Sequence, residues 1–133
     1  MSVAYVDTSA LVAVAFNEQG AAALARRLDA CSRLLSSNLL EAELRAAFTR
    51  EGYRFEPRLV SGIEWVLQDR PLTEEFERVL RVGYLRGADL WHVATALYVS
   101  PRPEGLWFAT LDTRQGAVAK ALGFQVLREA GSP

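Results

Sequence analysis

Apolar residues come along this chain in two rhythms, short unbroken runs and longer stretches in which they recur every three or four positions. Residues 3–6, "VAYV", form the first short run and read as a buried strand. Ala10, Leu11, Val14 and Ala15 follow at helical spacing, with Thr8 and Ser9 available as caps. Gly20 opens a second helical stretch, "AAALARRLDAC" (21–31), made of strong helix formers. "RLLSS" (33–37) reads as a second strand, and "NLLEAELRAAFTRE" (38–51) as a helix with Leu40, Leu44, Ala47 and Phe48 on one face and Gly52 as its stop.

Residues 56–69, "EPRLVSGIEWVLQD", place Leu59, Ile63, Val66 and Leu67 at helical spacing with Pro57 in a first turn, so a helix is expected there. Pro71 interrupts the pattern. "TEEFERVLRVGYLR" (73–86) resumes it from Thr73, and "GADLWHVATALYVS" (87–100) continues it with Leu90, Val93, Ala94, Leu97 and Tyr98. After a turn-rich "PRPEG" (101–105) come a strand, "LWFATLD" (106–112), a short helix, "TRQGAVAKALG" (113–123), and a last strand, "FQVL". Short apolar strands alternating with helices predict an α/β domain whose mainly parallel sheet is covered on both faces.

At 133 residues the chain suits one domain over 1–133, and 50% hydrophobic with 23% charged residues is ordinary globular usage. A lone cysteine, Cys31, has no disulfide or zinc-site partner; it reads as a buried small hydrophobe in a reducing compartment. The N-terminus has no basic region or long apolar stretch, and no segment reaches the ~20 apolar residues that span a bilayer, so a cytoplasmic location is expected. A net charge of −1 gives no global footprint for nucleic acid. The bases are nearly all arginine, Lys120 being the one lysine; arginine suits bidentate phosphate contacts, although genomic base composition biases the choice equally well.

Carboxylates change the picture. Ligand sites of parallel sheets form beyond the carboxyl ends of the strands, and Asp7 and Asp112 each end a predicted strand. Glu43 and Asp89 lie early on predicted helices whose apolar stripes face the sheet. Each acid also has a plainer role: Asp7, Asp112 and Asp89 as helix caps, Glu43 on a solvated face. Four carboxylates gathered together repel one another unless protonated or bound to cations. Oxygen ligands without cysteine, and with one histidine, favour Mg²⁺ or Mn²⁺ over Zn²⁺ and suit phosphoryl chemistry.

"YVDTSALV", "SSNLLEAELRAAF", "LRGADLWHVATAL" and "FATLDTRQGAVAKALGFQVL" resemble, in order, the four acidic blocks of the PIN-domain ribonucleases, in particular the toxin subunits of VapBC toxin–antitoxin pairs. The resemblance implies a three-layer α/β/α sandwich, a metal-dependent endoribonuclease, and inhibition by a small VapB-like antitoxin. It implies that Asp7, Glu43, Asp89 and Asp112 hold one or two Mg²⁺ or Mn²⁺ ions, directly or through water, for in-line attack on RNA that leaves 5′-phosphate and 3′-hydroxyl ends. Ser9 matches the family's small hydroxyl residue and is expected to orient Asp7; Thr110 and Thr113 are expected to act similarly near Asp112. Glu41 competes with Glu43, but the two point about 200° apart on a helix, and Glu43 stands at the usual offset from Ser37. The closing "LREAGSP" departs from the family's proline and glycine ending.

His92 shares a helical face with Asp89 and is expected to be structural or to act behind the ligands. Arg45 and Arg114 are candidate phosphate contacts. Trp65, Trp91 and Trp107 are read as packing rather than as base-stacking platforms. Toxins of this type usually pair into homodimers, and part of the apolar stretch around Ile63, Trp65, Val66, Phe76 and Val79 is expected to form a dimer or antitoxin surface. A haloacid-dehalogenase-type phosphoaspartate enzyme needs a second acid where Ser9 stands, and a receiver domain needs a lysine after a late strand, whereas Lys120 lies inside a helix. An RNA-processing nuclease without an antitoxin, and a PIN-like interaction module of little activity, are the remaining alternatives.

Overall fold

In the computed structural model, which describes residues 2–128, the run at Val3–Val6 becomes the central strand, β1. Tyr5 and Val6 are adjacent in sequence and therefore point to opposite faces of the sheet, and each enters a separate hydrophobic core. Four more strands flank β1: β2 (Arg33–Ser37), β3 (Ile63–Val66), β4 (Trp107–Ala109) and β5 (Gln125–Leu127). All neighbours are parallel, in the order β3-β2-β1-β4-β5.

Six helices supply the outer layers. Leu24, Leu40, Leu44 and Phe48 from α2 (Ala21–Asp29) and α3 (Asn38–Glu51) pack with Val6 and with Leu11 of α1 (Thr8–Ala15). On the other face, Val79, Val93, Leu97 and Val118 from α4 (Thr73–Val82), α5 (Gly87–Val99) and α6 (Thr113–Leu122) pack with Tyr5, Leu35 and Phe108. The result is the expected three-layer α/β/α sandwich around a parallel sheet. The chain builds outward from β1 through β2 to β3 and then returns to add β4 on the other side of β1. Strand order therefore reverses between β1 and β4, where a crevice opens beyond the carboxyl ends of a parallel sheet.

The expected helix over 56–69 is absent. A single 3₁₀ turn at Pro57–Leu59 is followed by the edge strand β3. Leu59, Ile63, Val66 and Leu67 fit a helical period, but Gly62 weakens a helix there, and Ile63, Trp65 and Val66 favour a strand once β2 offers a ladder. Arg33 on β2 meets Glu64 on β3 through two hydrogen bonds, of 2.7 and 3.1 Å, which fit that pairing.

Four other expectations change. Helix α2 stops at Asp29 and α4 at Val82, short of Cys31 and Arg86. Strand β4 ends at Ala109, so Asp112 lies in the following loop rather than on the strand. Cys31 is half-buried, its thiol 3.5 Å from the Arg27 carbonyl, and not a core residue. Of the apolar group from Ile63 to Val79, Ile63 and Val79 are buried in cores on opposite faces, while Trp65, Val66 and Phe76 are only partly buried. Among the described residues no helix is long and apolar enough to cross a membrane. Residues 129–133 of "LREAGSP" lie outside the described part.

Candidate active site

The loops after β1 and β4 meet at the reversal point. Asp7 directly follows β1 and caps α1, its Oδ1 accepting the Ala10 N–H at 2.9 Å. It is only 1% exposed, yet it is surrounded by donors. Ser9 Oγ lies 2.9 Å from both carboxylate oxygens, Thr110 Oγ1 donates to Oδ2 at 2.5 Å, and Gln115 Nε2 donates to the same oxygen at 3.0 Å. Burial pushes the carboxyl up to about 6, against the downward pull of Thr110, Ala10, His92 and Ser9. Capping and a buried acidic function therefore coexist in one side chain.

Asp112 repeats the capping arrangement on α6, accepting the Gln115 N–H at 2.8 Å. Thr110 joins the two acids: its hydroxyl donates to Asp7 and accepts the Asp112 N–H at 3.0 Å. Asp89, in the first turn of α5, shares a cavity of about 300 Å³ with Tyr84, Arg86, Asp112 and Arg114. Its pKa is raised first by burial and then by the negative charges of Asp112 and Glu43, with His92 and Arg86 opposing.

Glu43 approaches from α3. Thr8 Oγ1 donates to its Oε1 at 2.5 Å, and His92 Nε2 lies 3.6 Å from the same oxygen, beyond hydrogen-bond reach. His92, and to a lesser degree Thr8, hold Glu43 below the usual carboxylate range despite partial burial. Glu41 faces elsewhere, bonded to Arg45 at 2.7 Å and to Asn38 at 3.0 Å. His92 is itself buried between Tyr5, whose hydroxyl is 2.7 Å from Nδ1, and Thr8, 2.9 Å from Nε2.

Not every expected residue joins this group. Thr113 is exposed and opens onto a different cavity with Lys120 and Val126; among the described residues its side chain bonds to none of the four acids. Arg45 is engaged by Glu41 and lies 4.0 Å over the Phe55 ring, away from the acids. Arg114 does line the acidic cavity, together with Arg86, which the sequence reading missed. Tyr5 and Gln115 also join the group without being expected, and Thr8 reads from sequence only as a cap. Gln115 had a legible signal: Asp112-x-x-Gln115 is a capping-box spacing, although its amide turns to Asp7 instead of back to the helix start. Tyr5 had none, since a tyrosine inside a strand reads as core.

Among the described residues no three histidine, cysteine, aspartate or glutamate side chains converge closely enough to chelate one ion. The donor chemistry nevertheless fits a hard divalent cation. Gln115 Oε1 is buried without a hydrogen-bond partner on the side chain whose Nε2 holds Asp7, and Asp89 and Asp112 repel each other across their cavity. An orphaned carbonyl oxygen and like-charged carboxylates are both relieved by Mg²⁺ or Mn²⁺ with its water shell.

Compared with known protein families, the chain matches the PIN domain over residues 4–127. No curated protein matches it.

Proposed function

The chain belongs to the PIN-domain family, and from that premise we propose that it is a Mg²⁺- or Mn²⁺-dependent endoribonuclease, the toxin of a toxin–antitoxin pair. PIN domains are generally nucleases, so family membership supports a phosphodiester hydrolase acting on nucleic acid. The observation that carries the finer reading is the position of Asp7 and Asp112 at the strand reversal, tied together through Thr110, with Asp89 within the field of Asp112 and Glu43. The ordered acidic blocks that resemble VapBC toxins support RNA as substrate, a small VapB-like antitoxin, a homodimer and a cytoplasmic setting.

Each residue has a definable task in this reading. Asp7, Glu43, Asp89 and Asp112 would hold the cation, largely through its water shell. When bound, the ion polarises the phosphodiester and lowers the pKa of the attacking water. Ser9, Thr110 and Gln115 fix the orientation of Asp7. Arg86 and Arg114 line the cavity beside Asp89 and Asp112 and would bind the phosphates on either side of the cut. His92 is buried behind Glu43 and touches protein groups rather than the cavity.

The direct test is to incubate purified protein with single-stranded RNA and with DNA of the same sequence, in Mg²⁺, in Mn²⁺ and in EDTA. Cleavage of RNA that needs the metal and leaves 5′-phosphate ends is expected. Cleavage that persists in EDTA, or no cleavage of any RNA by antitoxin-free protein, contradicts the reading.

A further inference from the structure

The hydrogen bonds behind Glu43 can be assigned proton by proton. Thr8 has one hydroxyl proton, and the Glu43 carboxylate 2.5 Å away has none to offer, so Thr8 donates to Glu43. Thr8 then has only lone pairs for His92 Nε2 at 2.9 Å, so Nε2 must carry a hydrogen. On the far side of the ring, the Tyr5 hydroxyl receives the Ser37 N–H at 3.1 Å and lies 2.7 Å from Nδ1. Ser36 and Thr95 also flank Tyr5, their own hydroxyl protons going to the Val6 and Trp91 carbonyls at 2.7 Å each. Among the described residues, Nδ1 is the one acceptor within hydrogen-bond distance of the Tyr5 hydroxyl, so Tyr5 donates to a bare Nδ1.

Every donor in this series points the same way: Ser37 N–H to Tyr5, Tyr5 O–H to His92 Nδ1, His92 Nε2–H to Thr8, and Thr8 O–H to Glu43. We propose that Tyr5, His92 and Thr8 form a one-directional relay that fixes His92 as its neutral Nε2–H tautomer and positions the Glu43 carboxylate. The backbone N–H of Ser37, at the start of α3, thus aims a side chain later on the same helix by way of β1, α5 and α1. Oriented relays of this kind set the tautomer of an imidazole and the direction of an acid. The tautomer follows from the hydrogen bonds alone; that Glu43 then serves a cation rests on the nuclease reading.

His92 is the chain's one histidine, so tag-free protein with ¹⁵N-labelled histidine gives a single imidazole pattern in long-range ¹H–¹⁵N correlation spectra. In metal-free protein at pH 7.5, hydrogen on Nε2 alone is expected; hydrogen on Nδ1, or on both nitrogens, overturns the relay. Tyr5→Phe should keep the hydrogen on Nε2, which Thr8 still requires, and shift the bare Nδ1 ¹⁵N resonance downfield as its donor is lost; an unchanged Nδ1 resonance overturns Tyr5's part. For positioning, Mn²⁺ binding is read by paramagnetic resonance. Thr8→Val is expected to weaken it about 10-fold or more, and Thr8→Ser to restore it to within about 3-fold of wild type. Equal affinity in wild type and Thr8→Val overturns the positioning of Glu43. If wild type binds no Mn²⁺, the nuclease reading and Glu43's service to a cation both fail, and the tautomer pattern alone decides the relay.

Discussion

Gln115 holds two acids at once: its side-chain amide donates to Asp7 across 3.0 Å, and its backbone N–H donates to Asp112 across 2.8 Å. Because Asp7 follows β1 and Asp112 follows β4, one residue of α6 couples the two strand ends between which the candidate site lies. Groups behind metal-binding carboxylates typically change affinity or activity 10–100-fold when removed. Gln115→Leu, of similar size but without the amide, should raise the Mg²⁺ concentration needed for half-maximal cleavage by about 10-fold or more. Unchanged Mg²⁺ dependence would reduce Gln115 to a packing residue.

Thr110 offers a stability test. Its hydroxyl serves Asp7 and the Asp112 N–H, both away from bulk water. Thr110→Val keeps the shape and leaves Asp7 one donor short, at a cost of about 1–3 kcal/mol, whereas Thr110→Ser should fall close to wild type. Urea unfolding in EDTA measures both, and a Thr110→Val variant as stable as wild type would show that the hydroxyl contributes nothing to the fold.

Asp7 also predicts a direction with pH. Its carboxyl moves from an ordinary 3.8 to about 6 in the folded chain, so the folded state holds that proton more tightly than the unfolded state. The resulting stabilisation is complete below about pH 4 and is lost as pH rises through 6, about 3 kcal/mol in all for this nearly fully buried group. In EDTA, wild type should therefore lose about that much stability relative to Asp7→Asn between pH 4 and pH 7. A constant difference between the two proteins across this range would contradict the buried, protonatable Asp7.

The two glutamates of α3 can be ranked. Glu43 meets Thr8 and approaches His92, while Glu41 is engaged by Arg45 and Asn38 on the exposed side. Glu43→Gln should lower cleavage about 100-fold, whereas Glu41→Gln, which removes a surface ion pair, should stay within about 2-fold. Steady-state rates on one RNA decide the order, and a larger loss at Glu41 would reverse the assignment.

What the sequence revealed and what it hid follow from the range of the interactions. Asp7 and Asp112 could be placed because strand ends and helix caps are local patterns, and the alternation of strands and helices gave the layered architecture. Strand β3 was hidden because Leu59, Ile63, Val66 and Leu67 fit a helical period, and Ile63–Val66 become a strand only through pairing with β2, some thirty residues earlier. Thr110 and Thr113 looked equivalent around Asp112; the chain's turn into α6 sends Thr113 outward and Thr110 onto Asp7. Tyr5 and Thr8 belong to a series of hydrogen bonds spanning β1, α1, α3 and α5, and no spacing along the chain encodes such a crossing.

Whether the acids gathered beyond β1 and β4 work as one metal-dependent nuclease site is decided at Asp7. The most direct measurement is the rate of Mn²⁺-dependent RNA cleavage by Asp7→Asn against wild type, with circular dichroism and thermal unfolding verifying that both are folded. A folded variant whose cleavage is lost by about 100-fold or more at every Mn²⁺ concentration is expected. A folded Asp7→Asn protein that cleaves at the wild-type rate would contradict that single site.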